Sequence, residues 1–180
     1  LSRLFQRATR YGGKGCLTAA ANVVEVIAPY FRDRDLATLT LADSDRALLG
    51  LELRLARRRG KLAAGATFDD TVAVMQRKQN LGMNAILSVS LALARAIAHV
   101  RGKELYELLR EEMLAIVESL CSQHDVHVEG NRFSDYVTAL RRVARRLEAE
   151  GKPLHEALRA VTGIYDERRA DLGPTPVAAA

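Results

Sequence analysis

Apolar side chains recur along this chain three and four positions apart, the period of a helix with a buried face, and no convincing alternating run marks a strand. Leu17, Ala20, Ala21, Val24 and Ile27 to Ala28 predict a first helix from about Lys14 to Ala28, stopped by Pro29. Asp43 or Ser44 can cap a second, carrying Leu48, Leu49, Leu51, Leu53 and Leu55 up to the break at Gly60. Thr67, followed by Asp69 and Asp70, opens a third, with acidic side chains where the helix dipole favours them.

Between Leu81 and Val100 the apolar positions point in nearly every direction, the pattern of a helix surrounded by protein. Gly102 ends it. Lys103 to Leu120 then reads as amphipathic, with Leu105, Leu108, Leu109, Met113, Ile116, Val117 and Leu120 on one face. Asn131 or Ser134 caps a further helix burying Phe133, Val137, Leu140, Val143 or Ala144, and Leu147, and Pro153 suits the first turn of a last one through Leu154, Leu158, Val161 and Tyr165. The expectation is an all-α fold: a single domain, residues 1–172, of six to seven helices around a central apolar helix, with residues 173–180 as a flexible C-terminal tail.

Composition agrees with that pattern. In 180 residues, 48% apolar and 27% charged, there is material for one full core. Aromatics are only 5%, which favours helix over strand. The net charge of +5 attracts anions in a general way. The arginine clusters at Arg57, Arg58, Arg59 and Lys61 and at Arg141, Arg142, Arg145 and Arg146 lie on helices whose opposite faces are apolar, with no interleaved aromatics to stack on bases. They read as solvated faces, so nucleic acid is not the expected partner. Leu81 to Val100 is long enough for a membrane span, but Arg95 within it is costly in hydrocarbon, and no membrane partner is expected. Cys16 and Cys121 have no framework spacing and there is no secretory signal pattern, so the expected compartment is the cytoplasm.

The segment "LGMNAILSVSLALARAIA" resembles the enolase signature Leu-Gly-Ala-Asn-Ala-Ile-Leu-Gly-Val-Ser-Leu-Ala, with Met83 for an Ala and Ser88 for a Gly. "RGKELYELL" is similar to that family's Lys-Gly-x-Pro-Leu-Tyr-x-His-Leu, with Glu104 for the Pro. Upstream, "GKGCLTAAANVVEVIAPYF" resembles its Gly-Lys-Gly-Val-Leu helix, and "KPLHEALRAVTGIY" is similar to a later helix with Glu-Ala-Leu-Arg. The resemblance covers about half the chain and implies the helical part of an enolase amino-terminal domain. The family's catalytic loop, metal-binding carboxylates and catalytic Glu and Lys have no counterpart in these 180 residues, so the chain is not expected to run the enolase reaction. The resemblance implies that a face which packs on the family's barrel needs another cover, by extra helices or a second copy.

Chemistry of its own would come from "CSQHDVHVEGNRF". There His124, His127 and Glu129 bring imidazole and carboxylate to short spacing, the ingredients of an acid–base site. Cys121 joins them, but Cys-x-x-His-x-x-His is no defined zinc spacing, and no metal is expected. Gly13, Lys14 and Gly15 open a helix where free N–H groups and an ammonium suit an anion, without the full P-loop pattern. His99 reads as a core or capping histidine, and Arg95 as paired with Glu104, Glu107 or Asp135. Two readings follow. One is an enolase-like helical module that acts as a homo-oligomer or binds a partner. The other is a small enzyme, a lyase, aldolase or biosynthetic enzyme, reusing the scaffold on an anionic small molecule. No cofactor can be named from these residues.

Overall fold

The computed structural model describes residues 16–165, and every regular element in them is helical. Gly13, Lys14 and Gly15 and the expected tail at 173–180 lie outside the described residues. Seven helices follow in order: α1 (Leu17–Phe31), α2 (Leu41–Arg58), α3 (Phe68–Arg77), α4 (Met83–Val100), α5 (Leu105–Gln123), α6 (Phe133–Ala149) and α7 (Leu154–Thr162). The described residues form two compact units, 16–97 with residue 165, and Ala98–Ile164, the boundary falling within the last turn of α4.

In the first unit, α1 does not stop at Pro29. Its middle, Val23–Ile27, is a π-helical turn in which the Ala28 N–H reaches back five residues to the Val23 carbonyl. A proline has no N–H to donate and its ring crowds the preceding turn, so a widened turn just before it lets the helix run on to Phe31. The cap of α2 is Thr40 rather than Asp43 or Ser44. Thr40 Oγ1 accepts the Asp43 N–H at 3.0 Å and donates to the Asp43 carboxylate at 2.6 Å. Thr67 opens α3 as expected, and Thr67 and Asp70 cap it reciprocally.

Ile27, Leu48, Leu51, Leu55, Leu81, Ala85 and Ile86 form this unit's core, with Val23, Tyr30 and Val89 packed around it. Complete burial of a Leu or Ile contributes about 1.5–3 kcal/mol, so these contacts hold α1, α2 and α4 together. Buried within α2 is also a carboxylate, Glu52, with no exposure to solvent. Its Oε1 accepts from the Asn80 backbone N–H and side-chain amide, both at 2.8 Å, and its Oε2 accepts from the Leu81 N–H at 2.7 Å. The carbonyls of the same two residues take the Asn22 side-chain amide at 3.0 and 2.8 Å, and Arg59 adds a 2.7 Å bond to the Asn80 carbonyl. The turn leading into α4 is thereby fixed from both sides. Gly82 completes it at φ +100, where an added Cβ would sit 2.9 Å from Asn84 Oδ1 and 3.3 Å from Ala19 Cβ.

Helix α4 is apolar all round but is not surrounded. Ala85, Ile86, Ala94, Ile97 and Ala98 are buried, whereas Met83, Leu87 and Leu91, four residues apart along one edge, are 59%, 58% and 37% exposed. Sequence pattern cannot distinguish a helix covered by its own chain from one with a face left open. Among the described residues α4 is also the one helix long and apolar enough to cross a membrane, although its buried half-face packs on α1 and α2. Arg95 and His99 are exposed, so the core placement of His99 is not found; both sit late in the helix, where the dipole favours positive charge.

In the second unit, Val117, Leu120 and Cys121 of α5 pack on Ala139, Val143 and Leu147 of α6, with Leu154, Leu158 and Val161 of α7 alongside. The expected single face on α5 divides in two: Leu108, Val117 and Leu120 are buried, but Leu109 and Met113 are exposed. Helix α6 is capped from Arg132, not Asn131 or Ser134: the Arg132 N–H bonds the Asp135 carboxylate at 2.9 Å. Phe133, expected in the core, is the first residue of α6 and is exposed. Pro153 opens α7 as expected and Gly163 closes it.

Candidate functional site

The stretch from Cys121 to Phe133 is the connection between α5 and α6. Helix α5 ends at Gln123, Asp125 takes a left-handed backbone at φ +50, and Val126 turns inward against Cys121. That inward anchor puts Val126 in the core and leaves His127 and Glu129 outside. Gly130, at φ +116, lies against the Asp135 carboxylate.

His127 and Glu129 do come together. With Asp135, Thr138, Ala139 and Arg142 they line a depression of about 80 Å³. Glu129 Oε1 accepts from Arg142 Nη1 at 2.9 Å, and this bond, with the guanidinium's charge and a smaller contribution from His127, holds the carboxyl below the usual carboxylate range. Such a carboxylate is ionised at neutral pH, and its nearest strong partner is a permanent cation. That suits an ion pair or a weak base, not a proton donor. His124 does not join them. Its carbonyl, with that of Asp125, accepts from Arg146, so the arginine cluster of α6 pins this connection to its own helix.

A larger cavity of about 420 Å³ also borders His127, lined by Glu118, Cys121, Ser122, Asp125, Val126, Val128 and Tyr136. Tyr136 donates its hydroxyl to Glu118 Oε1 at 2.6 Å, which raises the phenol's pKa. Burial, with the Glu118 charge, raises the Cys121 thiol, so it rests protonated and unreactive. Among the described residues no group of three or more His, Cys, Asp or Glu is arranged to hold a metal ion.

Pattern reading missed two features. Glu52 stands alone as an acid in the run Leu49 to Leu55, and an isolated charge on the apolar side of a helix is the signal that would have marked it. A second cavity, between the end of α1 and the start of α2, left no motif at all.

Comparison with known proteins agrees with the motifs. Over 100 residues the chain is 39% identical to the enolase of Methanopyrus kandleri, 39% identical to that of Methanosarcina barkeri and 37% identical to that of Methanococcus vannielii. In each case the match covers 56% of this chain and 18% of the relative, so the chain spans under a fifth of the length of the curated relatives it matches. No protein-family model matches the chain, and no solved structure does. The similarity to enolases is thus partial, and the chain that carries it is all-α over the described residues.

Proposed function

We propose that this chain is an enolase-like helical module, without enolase activity of its own, that works in the cytoplasm by pairing with a second copy through the open face of α4. The observation that carries this is the ridge of Met83, Leu87 and Leu91, exposed along a helix whose other side is built into the core. No ionised side chain lies on α4 before Arg95. If two copies cross in opposite directions near Leu87, Arg95 lies about 12 Å from the crossing at 1.5 Å per residue, while the partner helix runs only about 6 Å further that way to its own Met83. The pair therefore buries apolar surface and no charge. The overlapping face, roughly 12 by 11 Å or on the order of 130 Å², is well short of the about 800 Å² per partner of a stable interface, so the pairing is weak and concentration-dependent.

Cross-linking tests this. In a Cys16→Ser background, Ser88→Cys places a thiol beside the crossing point, and mild oxidation is expected to give a disulfide-linked dimer that Leu87→Arg suppresses. A monomer under oxidising conditions, or a dimer indifferent to Leu87→Arg, would contradict the reading; loss of the dimer only when another protein is present would point to a different partner on the same face.

The small-enzyme reading has one observation in its favour: His127 borders the 420 Å³ cavity, within the usual range for small ligands. Its test is a thermal-shift screen with phosphorylated and carboxylated metabolites on the chain and on His127→Ala, since a ligand that binds the folded state raises its stability. A shift lost in the variant would favour the enzyme.

A further inference from the structure

The cavity between α1 and α2 has an apolar wall and a charged rim. Tyr30, Phe31, Leu39 and Ala47 form the wall, Arg34, Asp35, Thr38 and Asp43 form the rim, and the enclosed volume is about 350 Å³. The aromatic wall is set by contacts of its own: Tyr30 and Phe31 pack edge to face at 4.9 Å, and the Arg34 guanidinium lies 4.7 Å from the Tyr30 ring centroid. These contacts fix one face of Tyr30 and the position of the rim's cation.

The two carboxylates differ in how far they are committed. Asp43 caps α2 and is bonded through both oxygens, to Thr40 and to Arg46. Asp35 accepts the Ala37 N–H at 2.9 Å through Oδ1, and Oδ2 takes no hydrogen bond from any described residue. A pocket with apolar side chains along one wall and one acceptor left open on a polar rim can orient a small ligand by its head group. Asp43 is paired with Arg46, so Asp35 is the rim carboxylate without an ion pair of its own among the described residues.

We infer that this cleft binds a small organic cation, a primary amine on a flat aromatic or short aliphatic body, with the ammonium on Asp35 Oδ2 and the body against Phe31 and Leu39. Asp35 supplies a charge-assisted acceptor, while Asp43 stays committed to its cap and to Arg46. This site is independent of the α4 face.

The probe is phenethylamine, titrated into the full chain and followed by amide chemical shifts, with phenylacetate as its oppositely charged twin. The chain's net charge of +5 works against the amine, so a preference for it has to come from the cleft. Asp35→Asn removes the charge but keeps an oxygen to accept the Ala37 N–H, so the turn is retained. Expected are millimolar binding of the amine with shifts confined to residues 30–47, no comparable effect of phenylacetate, and about tenfold weaker amine binding in Asp35→Asn. Equal binding of the two probes, unchanged amine binding in the variant, or no shifts in this segment would each overturn the inference.

Discussion

Replacing Glu52 by Ala removes the acceptor for three donors at once, two of them backbone N–H groups. A hydrogen bond to a charged group contributes about 1.5–3 kcal/mol, and an interior donor left unsatisfied costs about 1–3 kcal/mol. The Leu81 N–H is buried and loses its partner outright, while those of Asn80 are closer to solvent and recover part of theirs from water. Summed with that allowance, the expected loss is about 3–5 kcal/mol, the range for breaking one side of a buried charged contact. Glu52→Gln keeps one oxygen for Asn80 and turns an NH2 toward the Leu81 N–H, so it falls between, at about 2–3 kcal/mol. Urea unfolding of the full chain by circular dichroism gives the order: wild type, then Gln, then Ala. With a slope of about 2 kcal/mol per molar, Ala lowers the midpoint by roughly 2 M. Because the chain has two compact units, hydrogen exchange at the Leu81 and Ile86 amides reads the first unit separately. A loss under about 1 kcal/mol for Ala, or Gln and Ala costing the same, would refute the assignment of Glu52 as the group that holds the turn into α4.

Gly82→Ala is expected to cost about 2–4 kcal/mol, from the positive φ and the clash with Asn84 together, against a few tenths for Gly60→Ala corrected for its own φ; urea midpoints decide. Thr67→Ala removes the cap of α3 and is expected to cost about 1 kcal/mol, with helical signal lost on heating at a lower temperature. Asp45 is pushed above the usual carboxylate range by burial, opposed by the Ser90 hydroxyl bond at 2.7 Å and by Lys78. A raised folded pKa contributes stability at low pH and loses it as pH rises through that pKa, so Asp45→Asn is expected to match wild type at acid pH and to exceed it at neutral pH, by unfolding at both. Asp43, Asp70, Glu129 and Asp135 are lowered, chiefly by the hydrogen bonds each accepts, and their contribution has the opposite sign. It is complete above the ordinary carboxylate range and lost as pH falls through the depressed values, so the melting temperature is expected to drop on acidification, and a profile flat from neutral to strongly acid pH would contradict these pairings.

Helix number and most boundaries were legible because each has a local cause: Thr67 with Asp70, Gly60, Gly102 and Pro153 act on their own turn. The continuation through Pro29 was not, since a π turn depends on backbone geometry that no residue type announces. Nor were the open edges of α4 and α5, because Leu87 and Leu109 look like core leucines until the neighbours that would cover them are placed. At the candidate loop the sequence put His127 and Glu129 close together, and the structure does so as well. The partner that governs Glu129, Arg142, comes from a helix thirteen residues on, a contact set by the packing of α6.

The pairing of two copies through α4 is tested most directly by sedimentation equilibrium over a wide concentration range, on the full chain and on Leu87→Arg. Expected are an average mass rising from that of one chain, 19.8 kDa, toward twice that value, and a Leu87→Arg chain that remains a monomer with unchanged helical content. A wild-type mass that stays at one chain across the range, or an association that Leu87→Arg leaves intact, would contradict it.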